Sequence, residues 1–194
     1  MLRAVLAFAV FMLAAPAAAF DLPPGAEAAL AHGRPYVEVQ RAADGASGRI
    51  RAVIEIDAPQ QTVWGLMTDC GLAPRLVPDL KSCRIVERDP KGLWDVREQV
   101  SQGPFLPSVR TVYREEFREP DRVTFHRVDG DLKVLEGEWR LTRNGEATRV
   151  TYEARASAPF AVPWWLARLA LRRNVTGALA ALRREALARA ADDG

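Results

Sequence analysis

Leu135-Glu136-Gly137-Glu138-Trp139-Arg140-Leu141-Thr142-Arg143-Asn144-Gly145-Glu146-Ala147-Thr148-Arg149-Val150-Thr151-Tyr152-Glu153-Ala154 alternates apolar and polar residues on either side of Asn144-Gly145. A period of two is the pattern of a strand with one buried face, and Asn-Gly suits the positive φ angles of a tight two-residue turn. A turn centred on Asn144-Gly145 pairs Arg143 with Glu146. Counting outward, it sets Leu141 opposite Thr148, Trp139 opposite Val150, Gly137 opposite Tyr152 and Leu135 opposite Ala154. One face of this hairpin is then apolar throughout, which favours the register. The missing side chain at Gly137 leaves space over the strand for the Tyr152 ring or for a ligand.

The same period extends upstream. Stretches 83–88, 93–102, 109–119, 122–128, 132–143 and 148–158 read as six strands, separated by turn residues such as Asp89-Pro90-Lys91-Gly92 and Pro120-Asp121. Before them, 36–40 and 50–56 alternate around the small residues of 44–48, which makes one more hairpin. Asp57-Ala58-Pro59 opens a short helix through Val63, Trp64 and Met67, ended by Gly71, and 72–77 forms one further helical turn stopped by Pro78. After Pro159 and Pro163 the period changes to that of a helix over 164–191, about 42 Å long. Leu171, Val175, Ala178, Leu182 and Ala186 form its apolar stripe, widened by Trp165, Leu169 and Leu179, with arginines on the remainder. A sheet with one apolar face needs a cover, and this helix has the length for it; the fold class is α+β.

Composition agrees with one packed domain: 194 residues, 48% hydrophobic, with 27 Lys+Arg against 25 Asp+Glu. So even a balance is not that of a general nucleic-acid binder, and no nucleic-acid partner is expected. The first nineteen residues stand apart. Arg3, an apolar run over 4–15, Pro16 and the small residues Ala17-Ala18-Ala19 read as a signal peptide cleaved after Ala19. A twelve-residue apolar helix reaches about 18 Å, short of the roughly 30 Å needed to cross a bilayer. The expectation is an exported, periplasmic protein with a loosely ordered segment over 20–35, holding a short helix from Gly25 to His32, and a folded domain over 36–191. Export makes a Cys70–Cys83 disulfide the default for the two cysteines. Two Cys and the widely separated His32 and His126 give no metal-ligand spacing, and neither a metal nor a cofactor is expected.

This order of elements, with Ile54-Glu55-Ile56-Asp57-Ala58-Pro59, Val63-Trp64, Thr68-Asp69, 76–83, Gly137-Glu138-Trp139-Arg140-Leu141, 148–152 and Pro163-Trp164-Trp165-Leu166, resembles the START-like, helix-grip (SRPBCC) superfamily. Within it, the chain is most similar to the polyketide cyclase and coenzyme Q-binding START-domain family, over roughly residues 48–190. The resemblance implies a curved antiparallel sheet of about seven or eight strands wrapped around the C-terminal helix, with two short helices after the N-terminal strands and an apolar cavity between sheet and helix. It does not imply one activity, because the fold hosts carriers and cyclases alike.

No phosphate loop, H-E-x-x-H or G-x-S-x-G motif is present, so hydrolase and nucleotide chemistry are not indicated. Charged residues within apolar rows are the informative anomalies: Trp94, Val96 and Glu98 share one side of a strand, as do Tyr113 and Glu115. Depending on the length of the turn, Glu115 faces His126 or Arg127. Trp94, Val96, Glu98, Tyr113, Glu115, Trp139, Tyr152 and Leu169 are expected to line the cavity, with Phe105, Leu106, Phe160, Trp164 and Trp165 forming its mouth. The favoured reading is an exported carrier for a lipid, an isoprenoid or quinone-like compound, or another apolar small molecule, in transient contact with a membrane. The alternative is a cyclase or aromatase in which Glu98, Glu115, His126 and Arg127 steer proton transfers. In either case no conventional catalytic constellation can be assigned.

Overall fold

The computed structural model describes residues 22, 25–103, 107–157 and 162–192. The expected signal peptide and cleavage position and the expected mouth residues Phe105, Leu106 and Phe160 lie outside them.

Eight strands form one antiparallel sheet: β1 (Tyr36–Arg41), β2 (Ser47–Ile56), β3 (Leu80–Arg88), β4 (Trp94–Ser101), β5 (Val109–Arg118), β6 (Arg122–Gly130), β7 (Leu135–Asn144) and β8 (Ala147–Ser157). Their order is β1-β2-β8-β7-β6-β5-β4-β3, so β8 returns to pair with β2 and every other pair of neighbours is consecutive in the chain. Helix α1 (Ala26–Leu30) packs Ala26 and Leu30 against Val53 on the far side of the sheet from the main core. Helices α2 (Gln60–Thr68) and α3 (Ala73–Leu76) carry the chain from β2 to β3 at the far edge, and α4 (Trp164–Asp192) crosses the opposite face. Pro59 occupies the N-cap of α2, where its missing N–H costs no helical hydrogen bond. The chain therefore has the helix-grip α+β fold, with the core held between the sheet, α2 and α4.

The Asn144-Gly145 hairpin forms with a register two residues away from the expected one. Asn144 pairs with Ala147 and the turn is Gly145-Glu146, with Gly145 at φ 62°. A glycine at the first central position suits a two-residue turn in which only that residue needs positive φ. Leu141 thus faces Val150, Trp139 faces Tyr152 and Gly137 faces Ala154. A slip of two keeps every side chain on its expected face, which is why the alternation read correctly while the pairing did not. The space over Gly137 is filled by the Phe125 ring, so close that a Cβ at 137 would lie 2.8 Å from it.

The β5–β6 turn also differs. Arg118 pairs with Arg122, and Glu115 lies opposite Phe125 rather than His126 or Arg127. On α4, Val175, Leu179, Leu182 and Ala186 are buried as the stripe requires, but Trp165 and Leu169 point to solvent. Four residues apart, they share a face with each other, but Leu169 stands two and six positions from Leu171 and Val175, which turns that face away from the stripe. No helix among the described residues is long and apolar enough to cross a membrane.

Candidate ligand cavity

Between α4 and the concave face of the sheet lies a cavity of about 300 Å³, at the lower end of the range for small-molecule sites. Its wall on the sheet side is an aromatic row. Tyr113 meets Phe125 edge-on at 6.3 Å, Phe125 stacks on Tyr152 at 6.0 Å, and Tyr152 stacks on Trp139 at 4.0 Å. Gly137 makes the row continuous: with no side chain on β7 at this level, the ring from β6 reaches across to the ring from β8. Leu171, Val175, Ala178, Leu179 and Leu182 of α4 close the opposite wall, and Met67, Ala73, Leu76 and Val77 supply the side formed by α2 and α3.

Within this apolar shell lies one charged cluster. On β4, Asp95 and Arg97 sit two residues apart on the concave face, and Glu115 of β5 is paired in register with Asp95. Arg97 is 3% exposed. Its Nε donates to Asp95 Oδ1 at 2.9 Å and its Nη2 to Asp95 Oδ2 at 3.0 Å, while Nη1 lies 3.0 Å from Glu115 Oε2. Nη2 also donates to the Thr68 carbonyl at 2.7 Å. That carbonyl ends α2 and has no partner within the helix, so the guanidinium caps the helix as well as neutralising the carboxylates.

The charge count is two carboxylates to one guanidinium, and Glu115 bears the excess. Burial pushes its carboxyl up to about 7 against the pull of Arg97, and Asp95 adds to the rise. The buried Tyr113 hydroxyl is raised well above its ordinary value by burial and by the neighbouring Glu115. Tyr152 is raised by burial. Gln99, Ser101, Thr111 and Asn174 are the other polar side chains on the wall. Asn174, part of the Asn174-Val175-Thr176 sequence, is engaged with the Pro78 carbonyl at 2.8 Å.

The disulfide Cys70–Cys83 is present, with Cα atoms 5.4 Å apart. It closes a strap that carries α3 and, with it, the lining residues Ala73, Leu76 and Val77. The strap rests on α4. A Cβ at Gly177 would lie 2.5 Å from Pro78 Cγ, so the missing side chain lets the proline ring sit this close to the helix.

Of the residues expected to bind a ligand, Tyr113, Glu115, Trp139 and Tyr152 line the cavity. The others do not. Trp94 stands on the outer face beneath the Arg114 guanidinium, 3.8 Å from the ring centre, and Val96 shares that side of β4. Glu98 lies outside as well, bound by Arg84 at 2.8 Å and Arg110 at 2.7 Å. Trp165 and Leu169 are solvent-exposed. His126 is exposed, and Arg127 donates to the Gly130 carbonyl without reaching the cavity. Asp95, Arg97, Gln99 and Ser101 were the residues missed. Cross-strand pairing couples odd positions on β4 to odd positions on β5, so an inward Tyr113 and Glu115 require inward Arg97 and Asp95. Choosing the even row of β4 followed its Trp and Val; the turn length that fixes the parity is not written in the local pattern. Among the described residues no group of His, Cys, Asp and Glu could hold a metal ion.

Comparison with known proteins agrees with this geometry. Residues 56–183 match the family model described as polyketide cyclase / dehydrase and lipid transport. Among solved structures, a protein from Thermus thermophilus is similar at 25% identity and TM-score 0.64, over 73% of this chain and 98% of its own. A STAR-related lipid transfer protein from Xanthomonas axonopodis is similar at 19% identity and TM-score 0.67, over 77% of this chain and 92% of its own. An aromatase/cyclase from Streptomyces sp. R1128 shares the fold at 16% identity and TM-score 0.58, over 75% and 94%. No curated protein sequence matches the chain. The match over about two thirds of the sequence, together with the sheet, the gripping helix and the cavity between them, makes this chain a member of the polyketide cyclase / dehydrase and lipid transport family.

Proposed function

We propose that the protein is an exported, periplasmic carrier that holds one apolar molecule with a neutral, hydrogen-bonding head between its sheet and α4. The observation that carries this reading is the cavity itself, aromatic and aliphatic on its walls with one charged cluster inside. The cluster argues for the kind of head. Three of the five guanidinium N–H groups of Arg97 are taken by Asp95 and the Thr68 carbonyl, and Nη1 faces Glu115. An incoming carboxylate or phosphate would find no uncommitted cation and two carboxylates already in place, so a buried anion would go uncompensated. A hydroxyl, phenol or amide N–H can instead donate to Glu115 or exchange hydrogen bonds with Tyr113. Export is supported by the reading of residues 1–19 and by the disulfide, a bond that persists in oxidising compartments.

The test compares a long-chain alcohol with the carboxylic acid of the same chain length, titrated against the intrinsic fluorescence of Trp139. The alcohol should quench or shift the signal at one equivalent and bind about tenfold or more tightly than the acid at pH 8. Preference for the acid would overturn the neutral-head reading. The cyclase alternative retains a specific observation, the perturbed Glu115 next to Tyr113 in the cavity. It lacks support from Glu98, His126 and Arg127, which stand outside the cavity.

A further inference from the structure

Five large hydrophobic side chains among the described residues are strongly exposed, and two of them sit one turn apart on α4: Trp165 at 67% and Leu169 at 58%. Exposed apolar side chains scattered singly need no explanation, but a Trp and a Leu on one helical face form a patch. The charge around it is one-sided. Between Glu153 and Glu185 the chain has no acidic residue, while Arg155, Arg168, Arg172, Arg173, Arg183 and Arg184 all fall in that interval, in a chain whose overall balance is only +2. Arg168, Arg172 and Arg173 are exposed beside Trp165 and Leu169. The ion pairs that α4 makes among the described residues, Glu185 with Arg75 and Arg183 with Asp57, belong to its second half. Arg41 of β1 adds a further cation, lying 5.2 Å over the Trp164 ring. Asp44, on the loop that follows β1, has its carboxylate engaged by the backbone of Ala46 and by Ser47.

We propose that the first three turns of α4 are a docking face for an anionic lipid bilayer, with Trp165 and Leu169 entering the headgroup boundary and Arg168, Arg172 and Arg173 meeting the lipid phosphates. The pattern of an aromatic and an aliphatic side chain flanked by cations on one helical face suits the interfacial plane of a membrane. A second copy of the chain would bring the same positive charge to the same patch, so self-association through this face is opposed by repulsion. Nucleic acid would match the arginines and leave the exposed Trp and Leu unsatisfied. Position adds a reason: Leu171, from the same turns, lines the cavity, and the Trp164 and Leu171 side chains pack on Gly48. The docking face therefore adjoins the end of the cavity where β4, β5 and β7 bring Ser101, Thr111 and Leu135 to its wall.

The experiment is sedimentation of the purified protein with vesicles of phosphatidylcholine alone and of phosphatidylcholine with phosphatidylglycerol in equal parts. The anionic vesicles should bind it at least tenfold more tightly, with an affinity that falls as salt rises. Replacing all three of Arg168→Gln, Arg172→Gln and Arg173→Gln should weaken that binding about a hundredfold, and Trp165→Ser with Leu169→Ser about tenfold. Both variants should load the long-chain alcohol as the parent does, so loss of docking and loss of ligand binding are read separately. Equal binding to both vesicle types, undiminished binding of the arginine variant, or no vesicle binding together with a dimer that the Trp165→Ser, Leu169→Ser variant abolishes would each overturn the proposal.

Discussion

Between pH 4.5 and about 7 the Glu115 carboxyl keeps its proton in the folded chain and loses it in the unfolded one, because burial raises it from 4.5 to about 7. Over that window the unfolded state binds fewer protons, so stability falls as pH rises, by up to about 3 kcal/mol from this group, and is level above it. Glu98, held low by hydrogen bonds from Arg84 and Arg110, acts in the opposite sense and only at more acid pH, as its proton is taken up. Urea midpoints of the parent and of Glu115→Gln at pH 4.5, 5.5, 7 and 8 isolate the effect. The parent should lose stability across the window relative to the variant, and parallel profiles would refute the assignment. Arg97→Ala leaves Asp95 and Glu115 buried without their cation and should cost about 3–5 kcal/mol in the same assay. This cluster was half legible: a carboxylate in the row Tyr113, Glu115, Phe117 signalled it, whereas Asp95 and Arg97 were hidden behind the more apolar row of Trp94 and Val96.

Elements were the most legible level, because period two and period 3.6 each record which face is buried. Every expected strand and helix exists, with ends displaced by a few residues. Pairing was harder, since it depends on turns whose length the alternation does not encode; the hairpin at Gly145 moved by two and the β5–β6 turn by one or two. On α4 the helical angle decides: Trp165 and Leu169 are four residues apart, but Leu169 is two and six from Leu171 and Val175, so the pair shares a face turned away from the stripe. The strap from Cys70 to Cys83 yields an element-scale prediction. Thiol labelling of denatured, unreduced protein should find no thiol, and Cys70→Ser should lower stability by about 3 kcal/mol through release of the unfolded chain. If the strap seats α3 on the cavity, the same variant should also release the bound alcohol faster. Gly177→Val, which forces Pro78 away from α4, should reproduce the faster release with the disulfide intact. Unchanged release in both variants would show that the strap does not contribute to retention.

At the scale of the whole molecule, the grip of sheet on helix was readable from the order of elements, and the family match over residues 56–183 agrees with it. Occupancy was not readable, because a cavity is what side chains from distant strands fail to fill, and no local pattern records a void. Gly137 illustrates the difference: its missing side chain suggested space for a ligand, and a ring from the neighbouring strand fills that space. The cavity lies instead between Trp139, Tyr152 and the Ala178 side of α4. Ala178→Trp should fill it and abolish alcohol binding while leaving the fold intact, as judged by an unchanged circular dichroism spectrum. The most direct measurement is native mass spectrometry of the protein purified from the cell envelope, followed by denaturation and identification of whatever is released. The carrier reading predicts one apolar molecule per chain with a neutral hydroxyl, phenol or amide head, absent from the Ala178→Trp variant; an empty parent, or a bound molecule with an anionic head, would contradict it.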